Sequence, residues 1–141
     1  MKDKTTATAL ARGWIEAWNR MDMDWLRRRL APDFVHVSPF GRLEGRDHYL
    51  ATVEPLARKS VQKLVIQDVV ASGGRAAVWF ENHTAEGAVP SCDWVRVEKG
   101  RIREIRSFYD SSGIRKILSS GEQAYLDDDR RRAAVAKKRG R

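Results

Sequence analysis

A chain of 141 residues can hold one domain with a real core and is too short for two ordinary ones. Its 42% apolar and 33% charged residues give a soluble globular balance, and no run nears the ~18 apolar residues of a membrane span. The net charge of +8 looks like a nucleic-acid signal until it is divided along the chain: residues 130–141, RRRAAVAKKRGR, hold seven basic residues and no acidic one, which leaves the rest at +1. The opening MKDKTTATAL lacks the apolar stretch of a signal peptide, so the expected compartment is the cytoplasm. Cys92, the single cysteine, excludes an internal disulfide and fits a reducing compartment. One cysteine and three histidines give no metal-ligand spacing, and no cofactor is expected.

Taken in chain order, Thr5 and Thr6 are helix N-caps, and Leu10, Trp14, Ala17, Trp18 and Met21 fall on one stripe of a first helix. Asp22 or Asp24 caps a shorter helix through Trp25, Leu26 and Leu30, which Pro32 stops. DFVHVSPFG reads as a strand ended by Pro39 and Gly41, and GRLEGRD as a turn. A third helix runs from about Asp47 to Lys59, with Pro55 as a kink or an early end. After residue 60 the pattern is of strands: VQKLVIQDVVA and RAAVWFENHT around the turn SGGR, then SCDWVRV and RIREIRSFYD around EKG. Helices set apart from strands joined antiparallel make the fold class α+β. The expected organisation is a domain over residues 1–118 and a charged, largely disordered basic tail over 119–141.

This order of words, EAWNRMDMDWLRRRLAPDFVHVSPFG, then GRLEGRDHYL, then VEKGRIREIRSFYD, resembles the nuclear transport factor 2-like superfamily over roughly residues 8–112. Within it the sequence is most similar to the SnoaL-like polyketide cyclases and ketosteroid isomerases. The resemblance implies a cone: a curved antiparallel sheet of the cystatin-like α+β barrel type wrapped around the first helices, enclosing a pocket, and usually a dimer. The fold serves isomerases, cyclases, dehydratases, epoxide hydrolases and plain binding modules, so function rests on the site.

In the steroid isomerases an Asp before a Pro-x-Gly turn removes a proton, while a tyrosine on the first helix and a protonated Asp on a later strand stabilise the oxyanion. On this sequence those positions fall on Ser38, Trp14 and Asp93. A serine has no basicity near neutral pH, so steroid-type isomerisation is not expected. Asp93 shares a strand face with Val95 and Val97; if that face is concave, its carboxyl has a raised pKa or a paired donor, and otherwise it is an edge residue facing water. His36 shares parity with Phe34 and Ser38 and is either a base or donor in the pocket or a hydrogen-bonded core histidine. On RAAVWFENHT the set Ala76, Val78, Phe80 and Asn82 is the more apolar and turns inward, which leaves Glu81 and His83 outside; the opposite register would join Glu81, His83 and His36 in a dehydratase-like triad. His48 is read as a surface residue. Tyr109 corresponds to a pocket-mouth aromatic of the family. Asp110 either caps SSGIRKIL or acts as a cyclase-type acid, because Ile102 and Ile105 differ in parity and leave the register open.

The resulting expectation is a pocket with Asp93 and His36 as the chemical groups and Trp14, Trp18, Phe34, Ser38, Phe80, Asn82 and Tyr109 against the ligand. It binds a small apolar or aromatic molecule and carries out a proton transfer of the isomerisation, cyclisation or dehydration type; the alternative is a non-catalytic binding or assembly module. Trp79 and Trp94 fall on the outer face, which predicts a homodimer through the sheet. The tail offers weak, nonspecific attraction to nucleic acid.

Overall fold

The structure, a computed structural model, describes residues 6–123. The basic run 130–141 lies outside the described residues.

Helix α1 (Ala7–Arg20) starts where Thr6 accepts a hydrogen bond from the Ala9 amide at 3.1 Å and closes at Met21, which adopts a left-handed conformation. Its stripe of Leu10, Ala11, Trp14, Ile15, Ala17 and Trp18 is buried. Helix α2 (Met23–Arg29) is capped by Asp22, whose carboxylate accepts from the Trp25 amide at 3.0 Å. Gly13 lets α1 and α2 meet closely: a Cβ there would stand 2.2 Å from the Trp25 ring.

The second helix ends before Leu30, three residues short of the expected stop. Pro32 instead lies inside strand β1 (Leu30–Ser38), in the stretch between Leu30 and Val35 where the pairing shifts register. A missing amide hydrogen costs little at such an irregularity. GRLE, read as turn, forms a short strand β2 (Gly41–Glu44) paired back onto β1. Helix α3 (Arg46–Ser60) continues through Pro55, held by the burial of Tyr49, Leu50, Thr52 and Ala57.

Strands β3 (Lys63–Ser72), β4 (Arg75–Thr84), β5 (Gly87–Glu98) and β6 (Arg101–Tyr109) form a meander with two-residue turns, followed by helix α4 (Ser112–Ile117). Lys99 and Gly100 both take positive φ (52° and 74°), the conformation a two-residue hairpin turn demands.

The six strands run in the order β2-β1-β6-β5-β4-β3. The sheet is mixed, not wholly antiparallel as expected: β1 lies parallel to β6. A parallel pair needs a long crossover, and the intervening chain of α3 and the meander supplies it. Nor does the sheet close into a barrel, since β2 and β3 are its two edges. Register shifts in β1–β6, β3–β4 and β5–β6 bend it into a cone around α1. One of them settles the parity of the last strand. Arg96 faces Glu104 and Val97 faces Ile102, so Arg103 is the extra residue of a bulge, and both Ile102 and Ile105 point inward at 0% exposure.

Helical structure also continues past residue 118. Ser119 and Glu122 cap each other reciprocally, at 2.8 Å and 3.2 Å, at the start of a further helical turn. Glu122 also pairs with Lys59 of α3 at 2.8 Å.

Candidate active site

The inner face of the cone encloses an aromatic-walled cavity of about 160 Å³. Helix α1 contributes Trp14 and Trp18, β1 contributes His36 and Ser38, and α3 contributes Tyr49. The meander adds Phe80 and Asn82 from β4, Ser91 and Asp93 from β5, and Ser107 and Tyr109 from β6. These last six share the wall because alternation sends every second residue inward. The outward neighbours Glu81 and His83 pair with each other at 3.7 Å on the surface, so the triad of the opposite register does not form.

Among the described residues Asp93 is the single acidic one on the wall, and no lysine or arginine lines it. The residue is 4% exposed. Its Oδ2 accepts a hydrogen bond from the Trp14 indole Nε1 at 2.7 Å, and its Oδ1 is buried with no hydrogen-bond partner. Burial raises its pKa to about 6, partly offset by the Trp14 bond and by the neighbouring Ser107 hydroxyl. At pH 7 the group is therefore mostly ionised. It is suited to accept a proton rather than to stand as a protonated oxyanion donor.

Ser107 faces Asp93 across β5 and β6, and its Oγ lies 2.9 Å from His36 Nε2. His36 is held neutral: burial lowers its pKa to about 4. Four rings surround it or each other in one cluster, with His36 and Phe34 each 5.0 Å from Tyr49 and Trp14 stacked 6.1 Å from Tyr49. Phe34 is corrected here from its expected place on the wall. It is fully buried behind the cavity, and its ring is absorbed by the edge-on contact with Tyr49 and the tilted contact with Trp14.

At the other end Ser38 is a turn residue. Its Oγ accepts from the Phe40 amide at 3.1 Å and is hydrogen-bonded with Tyr109. Burial above all, opposed by the Ser38 bond, pushes the Tyr109 pKa to about 12, so the phenol keeps its proton. Arg115 of α4 holds this corner from outside, over the Phe40 ring at 4.3 Å and bonded to the Pro39 carbonyl at 3.3 Å. Asp110 is fully exposed and caps α4 by accepting from the Ser112 amide at 3.0 Å; it does not reach the cavity. His48 also lies off the wall, at the half-exposed start of α3.

Two wall residues carried no sequence signal. Tyr49 is 2% exposed and bonded with Trp18, with its pKa raised by burial and then by the Asp93 charge. The apolar period of α3 is broken by His48 and Pro55, so nothing marked Tyr49 as inward. Ser107 depended on the bulge at Arg103; its parity with Ile105 becomes readable only once that bulge is known.

The sequence pattern of SnoaL-like domains matches residues 11–105. No curated protein matches the chain. Among solved structures, a protein from Kribbella flavida DSM 17836 is 25% identical with a TM-score of 0.72, the match covering 80% of this chain and 93% of that one. IdmH from Streptomyces antibioticus, a candidate polyketide cyclase, is 22% identical with a TM-score of 0.64, covering 74% of this chain and 92% of its own. A ketosteroid isomerase-like protein from Catenulispora acidiphila DSM 44928, in complex with trimethylamine, is 17% identical with a TM-score of 0.65, over 79% of this chain and 93% of that one.

Proposed function

The chain belongs to the SnoaL-like domain family, and from that premise we propose that its cavity binds a small apolar or aromatic molecule and that Asp93 takes a proton from it or returns one. The observation that carries this reading is the Asp93 carboxyl itself. It is an acid buried among tryptophan, tyrosine and phenylalanine rings on the cavity wall, with its pKa raised to about 6. A group poised near neutral pH at the end of an apolar pocket is what general acid–base work requires. Trp14 fixes the carboxyl through Oδ2, while His36 and Ser107 form a neutral polar ledge beside it. The reaction class is a proton transfer of the isomerisation, cyclisation or dehydration type. Ser38 stands at the position of the steroid isomerase base, already engaged in its turn, so that particular isomerisation is not part of the proposal.

Carbon-13 labelling of the aspartate carboxyls tests the reading. The Asp93 resonance should titrate with a midpoint near 6, and saturation with p-cresol should move that midpoint. An occupied cavity with an unmoved midpoint would show that ligands do not reach the carboxyl.

On the outer face we propose a second copy of the chain. Trp79 and Phe108 are 52% and 60% exposed and share one cross-strand row through Cys92, with Val70 at 63% nearby. Trp94, half-buried, lies in the next row. Such an apolar patch on a sheet face is covered by a twofold contact, which is self-complementary.

A further inference from the structure

The geometry points to helix α4 as the element that sets ligand length: Ile114 and Leu118 close the end of the cavity opposite Asp93 and take the aliphatic end of the ligand. This rests on the ligand pocket proposed above and names the shape of its occupant.

The inner strands run from the level of Asp93 toward α4. Asp93 stands opposite Val78 and Ser107; one inward position further, Ser91 stands opposite Phe80 and Tyr109; at the next, Asn82 stands opposite Leu64. From Val78 to Asn82 the strand covers roughly 13 Å, at ~3.3 Å per residue. Helix α3 follows the same axis. Tyr49 near its start lies against Trp14 and His36, and its end at Ser60 leads through Val61 to Leu64. Helix α4 lies across the far end of all these elements. Its Arg115 reaches the Pro39 carbonyl after β1, and a Cβ on Gly113 would stand 3.4 Å from the Glu86 Cβ after β4. Just past α4, Glu122 pairs with Lys59 of α3.

The two ends differ chemically. Near Asp93 the wall carries His36, Tyr49 and Ser107 among rings, whereas Leu56, Val61, Leu64, Ile114 and Leu118 line the far end. The polar exceptions there are Asn82 and Ser60, whose hydroxyl is already given to the Leu56 carbonyl at 2.9 Å. Aliphatic side chains offer a ligand burial and dispersion contact, which grow with its carbon count. Ile114 and Leu118 are 8% and 5% exposed, so both face inward. Helix α4 has six residues, and side chains hold it in place: Arg115 over the Phe40 ring, and Gln123 donating to the Arg115 and Leu118 carbonyls at 2.9 Å and 3.1 Å. A wall fixed in this way resists an extra methylene once the space is full. Length is what this end reads.

The para-alkylphenols from p-cresol to 4-heptylphenol test this, with dissociation constants from NMR titration of the tryptophan indole resonances. Affinity for wild-type protein should rise about fourfold per added methylene, reach an optimum, and fall at the next longer members. In the complex with the best phenol, the terminal methyl should show nuclear Overhauser contacts to the Ile114 and Leu118 methyls. Leu118→Ala should move the optimum to a chain about one or two carbons longer, and Leu118→Phe to a shorter one. The contacts are read on wild-type protein, so they decide even if neither variant folds. Affinity that keeps rising to the longest phenol, a terminal methyl without contacts to α4, or an optimum that stays put in a folded variant overturns the role of α4 and leaves the pocket reading standing. No binding by any phenol up to its solubility limit overturns the pocket reading, and this inference with it.

Discussion

Strand β5 shows two different chemistries on its two sides. Inward it presents Ser91, Asp93 and Val95, all at most 5% exposed; outward, Cys92, Trp94 and Arg96 are half-buried or paired on the surface. The inner side places one ionisable group among rings that exclude water, and the same burial that raises the Asp93 pKa makes every neighbour's geometry matter. The outer side carries apolar rings at the surface, where none of the described residues covers Trp79 or Phe108. A change on the concave side should therefore be felt by the fold, and one on the convex side by the assembly.

The largest expected effect lies on the concave side. Trp14→Ala removes a ring in contact with Trp18, Phe34, His36 and Tyr49 and also strips Asp93 of its only indole partner. It should cost about 3–5 kcal/mol in urea unfolding. Trp79→Ala, at a dilution where the protein is monomeric, should stay within about 0.5 kcal/mol. Comparable losses at both positions would erase the distinction between the faces.

Next comes the pH dependence of stability, which separates Asp93 from His36. The Asp93 pKa is raised from 3.8 to about 6, so its contribution is fully present below 3.8 and is lost as pH rises through 6. The His36 pKa is lowered from 6.5 to about 4, so its contribution is present above 6.5 and lost as pH falls through 4. Each is worth about 3 kcal/mol, and between pH 4 and 6 they oppose each other. Removing one group exposes the other. Denaturant midpoints of Asp93→Asn should fall as pH drops from 6.5 to 4, and those of His36→Gln should rise relative to them over the same interval. Parallel curves for the two variants would show that the burial of one group is not felt.

On the convex side, Trp79→Glu combined with Phe108→Glu should halve the mass seen by light scattering at micromolar concentration while the far-ultraviolet circular dichroism is unchanged. A wild-type protein already monomeric under those conditions removes the dimer. The smallest effect is catalytic. Wild-type protein should not isomerise a β,γ-unsaturated ketosteroid, and Ser38→Asp should give a trace at most, because an indole stands at the tyrosine position. Wild-type turnover near the enzymatic norm of about 10 per second would sink this reading of Ser38.

Where burial followed strict alternation, the sequence was enough to read it. Ala76, Val78 and Phe80 point into the cone as their apolar character required, and Asn82 follows by parity; for Asp93 alternation left two faces open, and the structure turns it inward. The stripe on α1 was equally plain, since Leu10, Trp14, Ala17 and Trp18 are buried as their spacing required, while Met21 falls on the cap that closes the helix. Reading failed where the backbone departs from its period. The bulge at Arg103 hid the parity of β6, and with it Ser107; the irregular start of β1 hid Pro32 inside a strand; the brief pairing of β2 looked like a turn. The parallel contact of β1 with β6 has no local signature at all, since it is set by where the helices deliver the chain. Phe34 has the parity of a wall residue yet sits behind the wall, which alternation cannot distinguish.

That parallel contact has a consequence for the order in which the molecule assembles. The meander from β3 to β6 closes through short turns, so its pairings are local and should form early. The site is not made by them. The bond between His36 and Ser107 joins residues 71 apart, and that between Trp14 and Asp93 joins residues 79 apart. Loop closure on that scale comes late because its entropy is lost before any contact repays it. In a refolding experiment the sheet signal should therefore appear before the cavity does, and ligand binding should be the last property the chain recovers.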